Sequence, residues 1–507
     1  MADAEDLKSS GDFSSWGFDS PPGHQLFGSV RQFEQLSETR CQLLTALSTS
    51  QRCSKRSITT SIRLLAPRGD ERVSKMSTKI LLGPTNELHA GVHGSLIANP
   101  PAGYEYVKQP ATHYFLLPKT TRLRKPFSPH RYFHLGEFLH FRADLPWVHS
   151  SRFPVLNRSA WVMDLDNFGY PFLAGRSILN PKQRQILRGG NSLPEQYLLR
   201  VKNMLFACAH PSCRAVVFRT ETARRSAEAQ ISAIGLRKFS RDFLVKSQVV
   251  YPAQAPASKR KVMGKWKNVE ARCAPLTIIF CGRDFAVKNG DLALEVFAHL
   301  LGCHPAIRLI YIGRIPEDRQ RAFADVLKRI EHYHDPPKAQ VLAHLAESHI
   351  LLHPSWSESL GIIYLEAFAA GLAVIGAYGE QLRHIPEILN PEGARVVDFL
   401  EGGRTQWVRS YVSMLRSLIE SPDIAKRMGC CNYDLVASHT GKFSIACRDK
   451  ALNAAYRTFV KGKVGLRMEE LPNWKDSVLF SMDSDEIQVD FAKYAAEVSF
   501  SGCNLVA

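Results

Sequence analysis

The sequence predicts an α/β protein built from two doubly wound domains. Short apolar runs alternate with longer segments of helical periodicity from Lys79 onward. The alternation stops once, over the Pro-, Ala- and Lys-rich residues 252–274, and then starts again. Such alternation is typical of a parallel sheet covered by helices, and two runs of it predict two sheets with a cleft between them. The 507 residues leave room for both, at a prior of roughly 150 residues per domain.

The first run provides the elements of one predicted parallel sheet. Apolar, β-branched stretches predict strands at Lys79–Leu82, His113–Leu117, Ala160–Met163, Ala215–Phe218 and Gln248–Tyr251. Longer periodic stretches predict helices at Gln183–Ala207 and Ala223–Ile234.

The second run repeats the pattern more regularly. It predicts strands at Leu276–Phe280, Arg308–Ile312, Ile350–His353 and Ala373–Gly376. It predicts helices at Asp291–Leu301, Glu317–Ile330, Ala339–Glu347, Ile362–Ala370, 405–419 and 443–459. In open sheets of this kind ligands bind beyond the carboxyl ends of the strands, so we expect the functional site there.

These patterns set the expected domain limits. A first domain is predicted at 76–255, a linker at 256–274 and a second domain at 275–460. Residues 1–75 are rich in Ser, Thr, Arg and Gln without sustained periodicity, which predicts a disordered extension. Residues 461–507 contain apolar patches but no motif, and we expect a tail there.

The charge balance favours anionic partners. The formal net charge is +17 at pH 7, from 65 Lys and Arg against 48 Asp and Glu. The basic clusters are short, and no zinc-finger spacing or RNA-recognition signature accompanies them, so we do not expect nucleic acid as a partner. A peripheral contact with a membrane surface stays open.

Cysteine usage and hydropathy bear on the location of the protein. The eleven cysteines form no regular framework, which favours reduced thiols and a cytoplasmic protein. The longest apolar stretch, 361–378, contains Glu366 and Gly371. It is better explained by a buried helix followed by a strand than by a membrane span.

Cations follow the first strand of the second run. Gly282 and Arg283 come directly after it, and Lys288 lies five residues further on. A glycine lets the backbone approach a ligand closely, and two cations beyond a strand end can hold a diphosphate. A strand–Gly–Arg turn is also a common structural feature, so this pattern alone is weak.

Two glutamates lie at the start of a predicted helix. Glu358 precedes Ser359, Leu360 and Gly361, and Glu366 follows eight residues later among apolar neighbours. The first turn of a helix offers unpaired N–H groups to a phosphate. A buried carboxylate needs hydrogen-bond donors, which sugar hydroxyls provide. A polar helix cap and a structural salt bridge explain the same residues without a ligand.

Other chemistries find little support in the sequence. Asp164 and Asp166, and Asp483 and Asp485, fit the two-aspartate pattern of metal-dependent glycosyltransferases, but such pairs are frequent by chance. No Gly-x-Gly-x-x-Gly follows the first strand, and neither a Walker lysine motif nor HExxH is present. We therefore expect no metal ligands, no cofactor, and no dehydrogenase, P-loop or zinc-protease activity.

Three segments of the second run, taken together, resemble a known family. SWSESLGIIYLEAFAAGLAVIGA resembles the E-x7-E signature of retaining GT-B glycosyltransferases of the group 1 type. FCGRDFAVKNGDLALEVFAHL resembles the donor-phosphate segment of the same family, and ILLHPS lies between the two as the strand before the signature. The resemblance is strong over about 275–460. It implies the GT-B architecture, in which two Rossmann-like domains face a cleft.

The first run resembles the acceptor-side domain of that family more loosely. The stretches concerned are LLGPTNELHAGVHGSLIANPP, PWVHSSRFP, AWVMDLDNFGYPF and CRAVVFRTETARRS. They agree with the architecture without being diagnostic. Gly91, His149 and Asp164 are the acceptor-side candidates that this looser resemblance provides, and an ordinary structural role explains each of them equally well.

The resemblance implies a role for each donor-side residue. Arg283 and Lys288 should hold the donor diphosphate and stabilise charge on the leaving nucleotide. Glu358 should face the transferred sugar, and Glu366 should bind the ribose. Further donor contacts are expected from Gly282, Ser359, Leu360, Gly361 and Ile362. Leu360 stands where the family often has an aromatic residue, which leaves backbone contacts intact.

The family transfers a sugar from a nucleoside-diphosphate sugar with retention and without an essential metal or cofactor. The acceptor implied is a glycan, a lipid-linked saccharide or a small metabolite. Two alternatives stay open: a sugar-nucleotide epimerase on the same fold, and a non-catalytic protein that binds sugar nucleotides. The paired glutamates argue against the first, and the joint presence of Arg283, Lys288, Glu358 and Glu366 argues against the second.

Overall fold

The computed structural model describes four ranges of the chain: 77–122, 134–174, 195–459 and 465–487. The predicted disordered extension, residues 1–75, lies outside the described residues. So does the end of the predicted tail, residues 488–507.

The strands and α-helices of the described residues alternate along most of the chain. The strands are β1 Thr78–Gly83, β2 Tyr104–Lys108, β3 Thr112–Pro118, β4 Glu137–His140, β5 Trp147–Ser151, β6 Ala160–Leu165, β7 Cys213–Phe218, β8 Ser247–Val249, β9 Thr277–Cys281, β10 Arg308–Ile312, β11 Glu331–Tyr333, β12 Ile350–Leu352, β13 Ala373–Tyr378, β14 Ala394–Asp398 and β15 Ser477–Asp483. The helices are α1 His93–Ala98, α2 Glu195–Ala209, α3 Glu221–Ala233, α4 Arg241–Lys246, α5 Lys259–Glu270, α6 Gly290–Cys303, α7 Glu317–Ala322, α8 Ala324–Leu327, α9 Lys338–Glu347, α10 Ile362–Ala369, α11 Ile385–Ile388, α12 Arg404–Glu420, α13 Pro422–Ala437 and α14 Ile445–Tyr456.

The first sheet is parallel throughout and has the strand order β2-β1-β5-β6-β7-β8. Every residue of its central strand β6 is buried. Apolar runs of this kind are expected for parallel strands that are covered on both faces. The order reverses beside β1, and the loop with Gly91 follows that strand.

The second sheet is also six-stranded and parallel, with the order β11-β10-β9-β12-β13-β14. The strand order reverses beside β9, which has β10 on one side and β12 on the other. Ligands of open α/β sheets bind beyond the carboxyl ends of the strands at such a reversal. Gly282 directly follows β9 and so lies at this reversal. The two six-stranded parallel sheets confirm the predicted pair of doubly wound domains.

One strand prediction needs correction. His113–Leu117 was assigned to the first parallel sheet, but β3 lies in a separate antiparallel sheet between β4 and β15. The reason is the short connection from β2, because only residues 109–111 separate the two strands. A parallel neighbour needs a crossover of roughly a dozen residues or more.

The predicted linker contains a helix. The segment 256–274 includes α5, whose apolar face buries Val262, Trp266 and Val269. Ser258 caps its start by accepting the backbone N–H of Lys261. The prediction missed this helix because only three of its twelve residues are buried and five are Lys or Arg.

A second correction concerns Glu317–Ile330, which was predicted as one helix. It is divided into α7 and α8 at Phe323, whose φ of −110° and ψ of 24° are not helical. The Phe323 side chain packs onto the core of the second sheet. The predicted helix Gln183–Ala207 corresponds to α2, and its residues before 195 are outside the described ranges.

The chain returns to the first sheet after the second is complete. Leu452 and Tyr456 of α14 are buried in the same cluster as Ile80 and Val162 of the first sheet. The helix α14 thus covers the first sheet, although it lies within the range 275–460 predicted for the second domain. Further on, β15 pairs with β3 within the segment that was predicted as a tail.

Two chain-wide properties can be stated for the described ranges. No helix in them is long and apolar enough to cross a bilayer. Every cysteine in them is unpaired.

Candidate active site

The loop after β1 and the start of α10 are in contact at the predicted site. Gly91, in the loop after β1, lies directly on the start of α10. A Cβ atom on Gly91 would be 2.6 Å from Ile362 Cγ2 and 3.3 Å from Glu366 Oε1. Gln254 Nε2 donates a hydrogen bond to the Gly91 carbonyl at 2.7 Å. The structure thus brings together Gly91, Ile362 and Glu366, which are far apart in the sequence.

A second glycine shapes the start of α10. Gly361 has a φ of +71°, in the left-handed region that favours glycine. A Cβ there would also lie 2.7 Å from the Tyr364 ring. The turn leaves Ser359 exposed and directs Leu360 into the core, where it is 3 % exposed. A contact between Leu360 and a ligand therefore has to use its backbone.

Glu358 is held by two donors on one oxygen. Lys288 Nζ lies 2.7 Å from Glu358 Oε1, and His353 Nε2 lies 2.6 Å from the same atom. Burial opposes ionisation of this carboxyl, but His353 and Lys288 outweigh it and lower the pKa of Glu358 to about 2. Glu358 is therefore a carboxylate at neutral pH, and both of these contacts use Oε1.

The strand end before Lys288 is tightly packed. A Cβ on Gly282 would lie 2.7 Å from Lys288 Cβ, and a Cβ on Gly313 would lie 2.0 Å from the Gly282 carbonyl oxygen. The glycines thus let β9 and β10 end close together beside Lys288. Arg283 is exposed and, among the described residues, has no hydrogen-bond or ion-pair partner. Its guanidinium is available to an anion beyond β9.

Glu366 is paired with a lysine that the motifs did not include. Lys338, the first residue of α9, hydrogen bonds to Glu366 Oε2 at 2.5 Å. The Glu366 side chain is 2 % exposed, and that of Lys338 is 46 % exposed. Burial raises the pKa of Glu366, and Lys338 partly opposes that shift. The result is a buried carboxylate with one half-exposed counter-ion.

The acceptor-side candidates His149 and Asp164 belong to a buried polar network at the carboxyl end of the first sheet. Asp164 Oδ2 lies 2.9 Å from His93 Nε2, 3.3 Å from His149 Nε2 and 2.8 Å from Arg219 Nη2. Burial would raise the pKa of Asp164, but Arg219 and His93, with hydrogen bonds from His149 and His93, hold it well below its usual range.

The same network fixes the Gly91 loop. His93 Nδ1 accepts the backbone N–H of His89 at 2.7 Å, so Nε2 carries the proton donated to Asp164. His89 Nδ1 in turn accepts the N–H of Gly91 at 3.1 Å. Asp164 therefore reaches Gly91 through two histidines, and we regard the loop as positioned by this carboxylate.

A small cavity of about 20 Å³ adjoins the network, room for about one water molecule. His149, Asp164, Arg219 and Arg448 supply its polar lining. His149 Nδ1 also lies 2.6 Å from the Tyr456 hydroxyl of α14. The side chains of His149 and Asp164 are buried, with 2 % and 3 % of their residue surface exposed. An acceptor could therefore contact them only if this cavity opened.

Sequence reasoning missed four residues of these clusters: Lys338, His353, His93 and Arg219. His353 was predicted as a strand end and not as a site residue, although it stands just before the signature. Lys338 had no sequence signal, because it pairs with Glu366 across 28 positions from a separate helix. His93 and Arg219 lie inside stretches that were quoted for the looser resemblance.

The fold is thus of the GT-B kind, two Rossmann-like domains facing a cleft, with acidic and basic side chains at the strand ends. Residues 265–387 match the sequence model of the family described as glycosyl transferases group 1. The resemblance to group 1 glycosyltransferases is therefore confirmed over this part of the chain, which includes Arg283, Lys288, Glu358 and Glu366.

Curated relatives match part of the chain. The phosphatidylinositol N-acetylglucosaminyltransferase gpi3 subunit of Schizosaccharomyces pombe is 30% identical over 118 residues, 22% of this chain and 25% of that protein. The D-inositol 3-phosphate glycosyltransferase of Segniliparus rotundus is 25% identical over 194 residues, 36% of this chain and 40% of that protein. The match to these relatives spans between a quarter and two fifths of their length.

Solved structures include distant neighbours. WaaG, a glycosyltransferase involved in lipopolysaccharide biosynthesis, shares 16% identity with a TM-score of 0.41, over 63% of this chain and 79% of that one. Anabaena HepE in complex with UDP shares 12% identity with a TM-score of 0.40, over 62% of this chain and 79% of that one.

Proposed function

We propose that this protein is a retaining glycosyltransferase that uses a nucleoside-diphosphate sugar. The observation that carries the proposal is Glu358, a carboxylate that is 9 % exposed and is kept ionised by Lys288 and His353 at the start of α10. Such a group serves a ligand with several hydroxyls, because its second oxygen is not used by either partner. The acceptor is a glycan, a lipid-linked saccharide or a small molecule.

The donor diphosphate is assigned to the end of β9. Arg283 has no hydrogen-bond or ion-pair partner among the described residues, and Lys288 packs against the preceding Gly282. When the bond between the sugar and the diphosphate breaks, the electron pair leaves with the nucleotide. Fixed cations stabilise that developing charge, an effect worth roughly 10²–10³ in rate for one such group. We assign this role to Arg283 and Lys288, with no metal and no cofactor.

The sugar and the ribose are assigned to the two glutamates. Glu358 faces the transferred sugar and Glu366 the ribose, with the backbone of Leu360, Gly361 and Ile362 beside them. The Gly91 loop closes the cleft from the other side, and Asp164 supports that loop through His93. Exclusion of water by this closure would protect the donor from hydrolysis.

The names of the relatives guide the choice of acceptor and location. Both curated relatives are named for inositol-containing compounds, which makes phosphatidylinositol and inositol phosphates the first acceptors to test. The net charge of +17 suits a phosphorylated acceptor at an anionic membrane face. We place the protein in the cytoplasm, peripheral to such a membrane.

The decisive experiment measures binding first. A thermal-shift panel of UDP, GDP, ADP and their common sugar conjugates is run on the wild type and on Glu366→Ala. A ligand that binds the native state raises the melting temperature by mass action. We expect one nucleotide series to stabilise the wild type and the variant to lose that response. No shift with any nucleotide would contradict the proposal.

Turnover separates the proposed activity from its alternatives. With the preferred donor, a transferase releases free nucleotide at a high rate only after an acceptor is added. An epimerase converts the sugar nucleotide without releasing nucleotide. A non-catalytic protein binds the donor and turns over none of the acceptors tested.

A further inference from the structure

Lys338 is a cation outside every motif, yet it contacts the buried carboxylate of the donor signature. Its ammonium lies 2.5 Å from each oxygen of Glu366, but only Oε2 accepts a hydrogen bond from it. Among the described residues Oε1 has no hydrogen-bond partner, although it is buried. A buried carboxylate oxygen without a donor is costly, so this atom suits a ligand that brings a hydroxyl group.

Glu366 Oε1, which accepts no hydrogen bond from the described residues, lies against the loop of the opposite domain. A Cβ on Gly91 would lie 3.3 Å from this oxygen, so the absence of a side chain lets the loop approach it closely. The Lys338 side chain is 46 % exposed, so its ammonium can follow the carboxylate while the backbone of α9 stays in place. Oε2 of Glu366 therefore accepts the hydrogen bond from Lys338, and Oε1 is the oxygen next to the Gly91 loop of the first domain.

We propose that Lys338 is a positioning residue of the donor site, which holds Glu366 as an oriented carboxylate whose second oxygen accepts a ribose hydroxyl of the nucleotide. This inference rests on the proposed function and deepens it. It makes Lys338 a determinant of the preference for ribonucleotides over deoxyribonucleotides, a preference that neither the signature nor the fold assigns to this lysine.

Few other titratable groups face this carboxylate. Cys281, at the end of β9, has a thiol pKa raised above its usual range, mainly by burial. His89, beside Gly91 in the opposite loop, has a pKa lowered to about 4, mainly by burial. Both groups are neutral between pH 6 and 8.5. Lys338 is thus the group that opposes the rise in the pKa of Glu366 that burial causes.

The test compares ribose with deoxyribose on Lys338 variants. Binding of UDP, GDP and ADP, and of their 2′-deoxy and 3′-deoxy forms, is measured by titration calorimetry at pH 6 and pH 8.5. We expect the wild type to prefer one ribonucleotide over a deoxy form by about tenfold at both pH values, a difference typical of one hydrogen bond. Lys338→Met should lose that preference at pH 6 and regain part of it at pH 8.5.

Two variants serve as controls. Lys338→Arg keeps a cation at this position and should keep the ribose preference. Lys328→Met removes a lysine whose side chain is 74 % exposed and paired with Asp325, and it should behave as the wild type. If Lys338→Met does not fold, Lys338→Gln takes its place.

The outcomes distinguish this inference from the proposed function. A ribose preference that Lys338→Met retains at both pH values overturns the role of Lys338. If Lys338→Met weakens the binding of the ribonucleotides and the deoxyribonucleotides equally, the role of Lys338 is also overturned, because a merely structural contribution would produce that result. If the wild type binds no nucleoside diphosphate at all, the proposed function itself fails.

Discussion

Gly91 and Ile362 are in contact across the cleft, and the contact requires the absence of a side chain on Gly91. A Cβ atom would lie 2.6 Å from Ile362 Cγ2, well inside van der Waals distance. Gly91 does not have a positive φ, so the requirement is steric rather than conformational. A side chain at position 91 would therefore push the loop after β1 away from the start of α10.

We expect Gly91→Ala to lower kcat/KM for the donor by about 10²-fold, because small misplacement of a catalytic cleft can have that effect. The melting temperature should change little. Gly94→Ala is the matched control, since a Cβ there meets nothing within 4 Å. The double variant Gly91→Ala with Ile362→Ala should recover part of the loss. Equal activity of the two alanine variants at positions 91 and 94 would contradict this reading.

Most strands of the two parallel sheets were predicted from the sequence, including β8 at an edge, but the inner strand β5 and the edge strands β2, β11 and β14 were not. The central strands β6, β9 and β12 are buried at every residue and therefore appear as continuous apolar runs. The edge strands β2 and β14 have mixed burial and no such run. Edge strands face solvent along one side and often carry charged residues, which hides them from a pattern of apolar runs.

The site residues could be predicted because they belong to local sequence patterns. Their partners could not be predicted, because only the tertiary structure brings them together. Glu358 and Glu366 were recognised because eight residues separate them on one helix start. The hydrogen bond from Lys338 to Glu366 joins two helices, and no periodicity relates the two residues. Lys288 and Glu358 were predicted to contact different parts of the donor, and their ion pair with each other was not foreseen.

Lys288→Met should reduce kcat by about 10²–10³-fold, because it removes a cation from the leaving group and one of two donors from Glu358. The measurement is steady-state transfer with saturating donor and acceptor. Lys328→Met is the control, since its exposed ion pair should contribute little. A normal kcat for Lys288→Met would remove Lys288 from the chemistry.

Asp164→Asn should destabilise the fold by about 3–5 kcal/mol, because it removes the anion shared by His93, His149 and buried Arg219 and leaves Arg219 with Asp166 alone. The pKa of Asp164 is depressed in the folded protein, so its contribution to the free energy of unfolding is present above its ordinary pKa and is lost only in acid. The difference from the wild type in urea denaturation should therefore be constant from pH 6 to pH 9. Asp483→Asn, whose side chain is 44 % exposed, is the control.

Lys265→Met should destabilise the second domain by about 2–4 kcal/mol, because Lys265 Nζ donates to the carbonyls of Ser348 and Ala370 at two helix ends. Burial lowers the pKa of Lys265 to about 7. The unfolded chain therefore binds more protons above pH 7, and the wild type gains stability as the pH rises. The difference in the free energy of unfolding between the wild type and Lys265→Met should increase from pH 7 to pH 9. Lys261→Met, on the exposed face of the same helix, should show neither effect.

Glu387 connects the two domains away from the donor site. Its carboxylate accepts the backbone N–H groups of Glu221 at 2.6 Å and Thr222 at 2.8 Å, and the Tyr251 hydroxyl at 2.6 Å. Burial opposes its ionisation, but hydrogen bonds from Tyr251 and Thr222 lower the pKa of Glu387. A residue of α11 in the second domain thus caps the start of α3 in the first, where the helix dipole favours an anion.

Glu387→Gln should loosen this contact, because an amide has one acceptor oxygen for three donors and no charge. We expect a loss of about 1–3 kcal/mol of stability and faster hydrogen exchange at the amides of Glu221 and Thr222. Glu380→Gln, at an exposed ion pair with Arg383, is the matched control. Tyr251→Phe should be non-additive with Glu387→Gln, since both remove bonds of one cluster. Unchanged exchange at these two amides would mean that the domains are held together without the Glu387 cap.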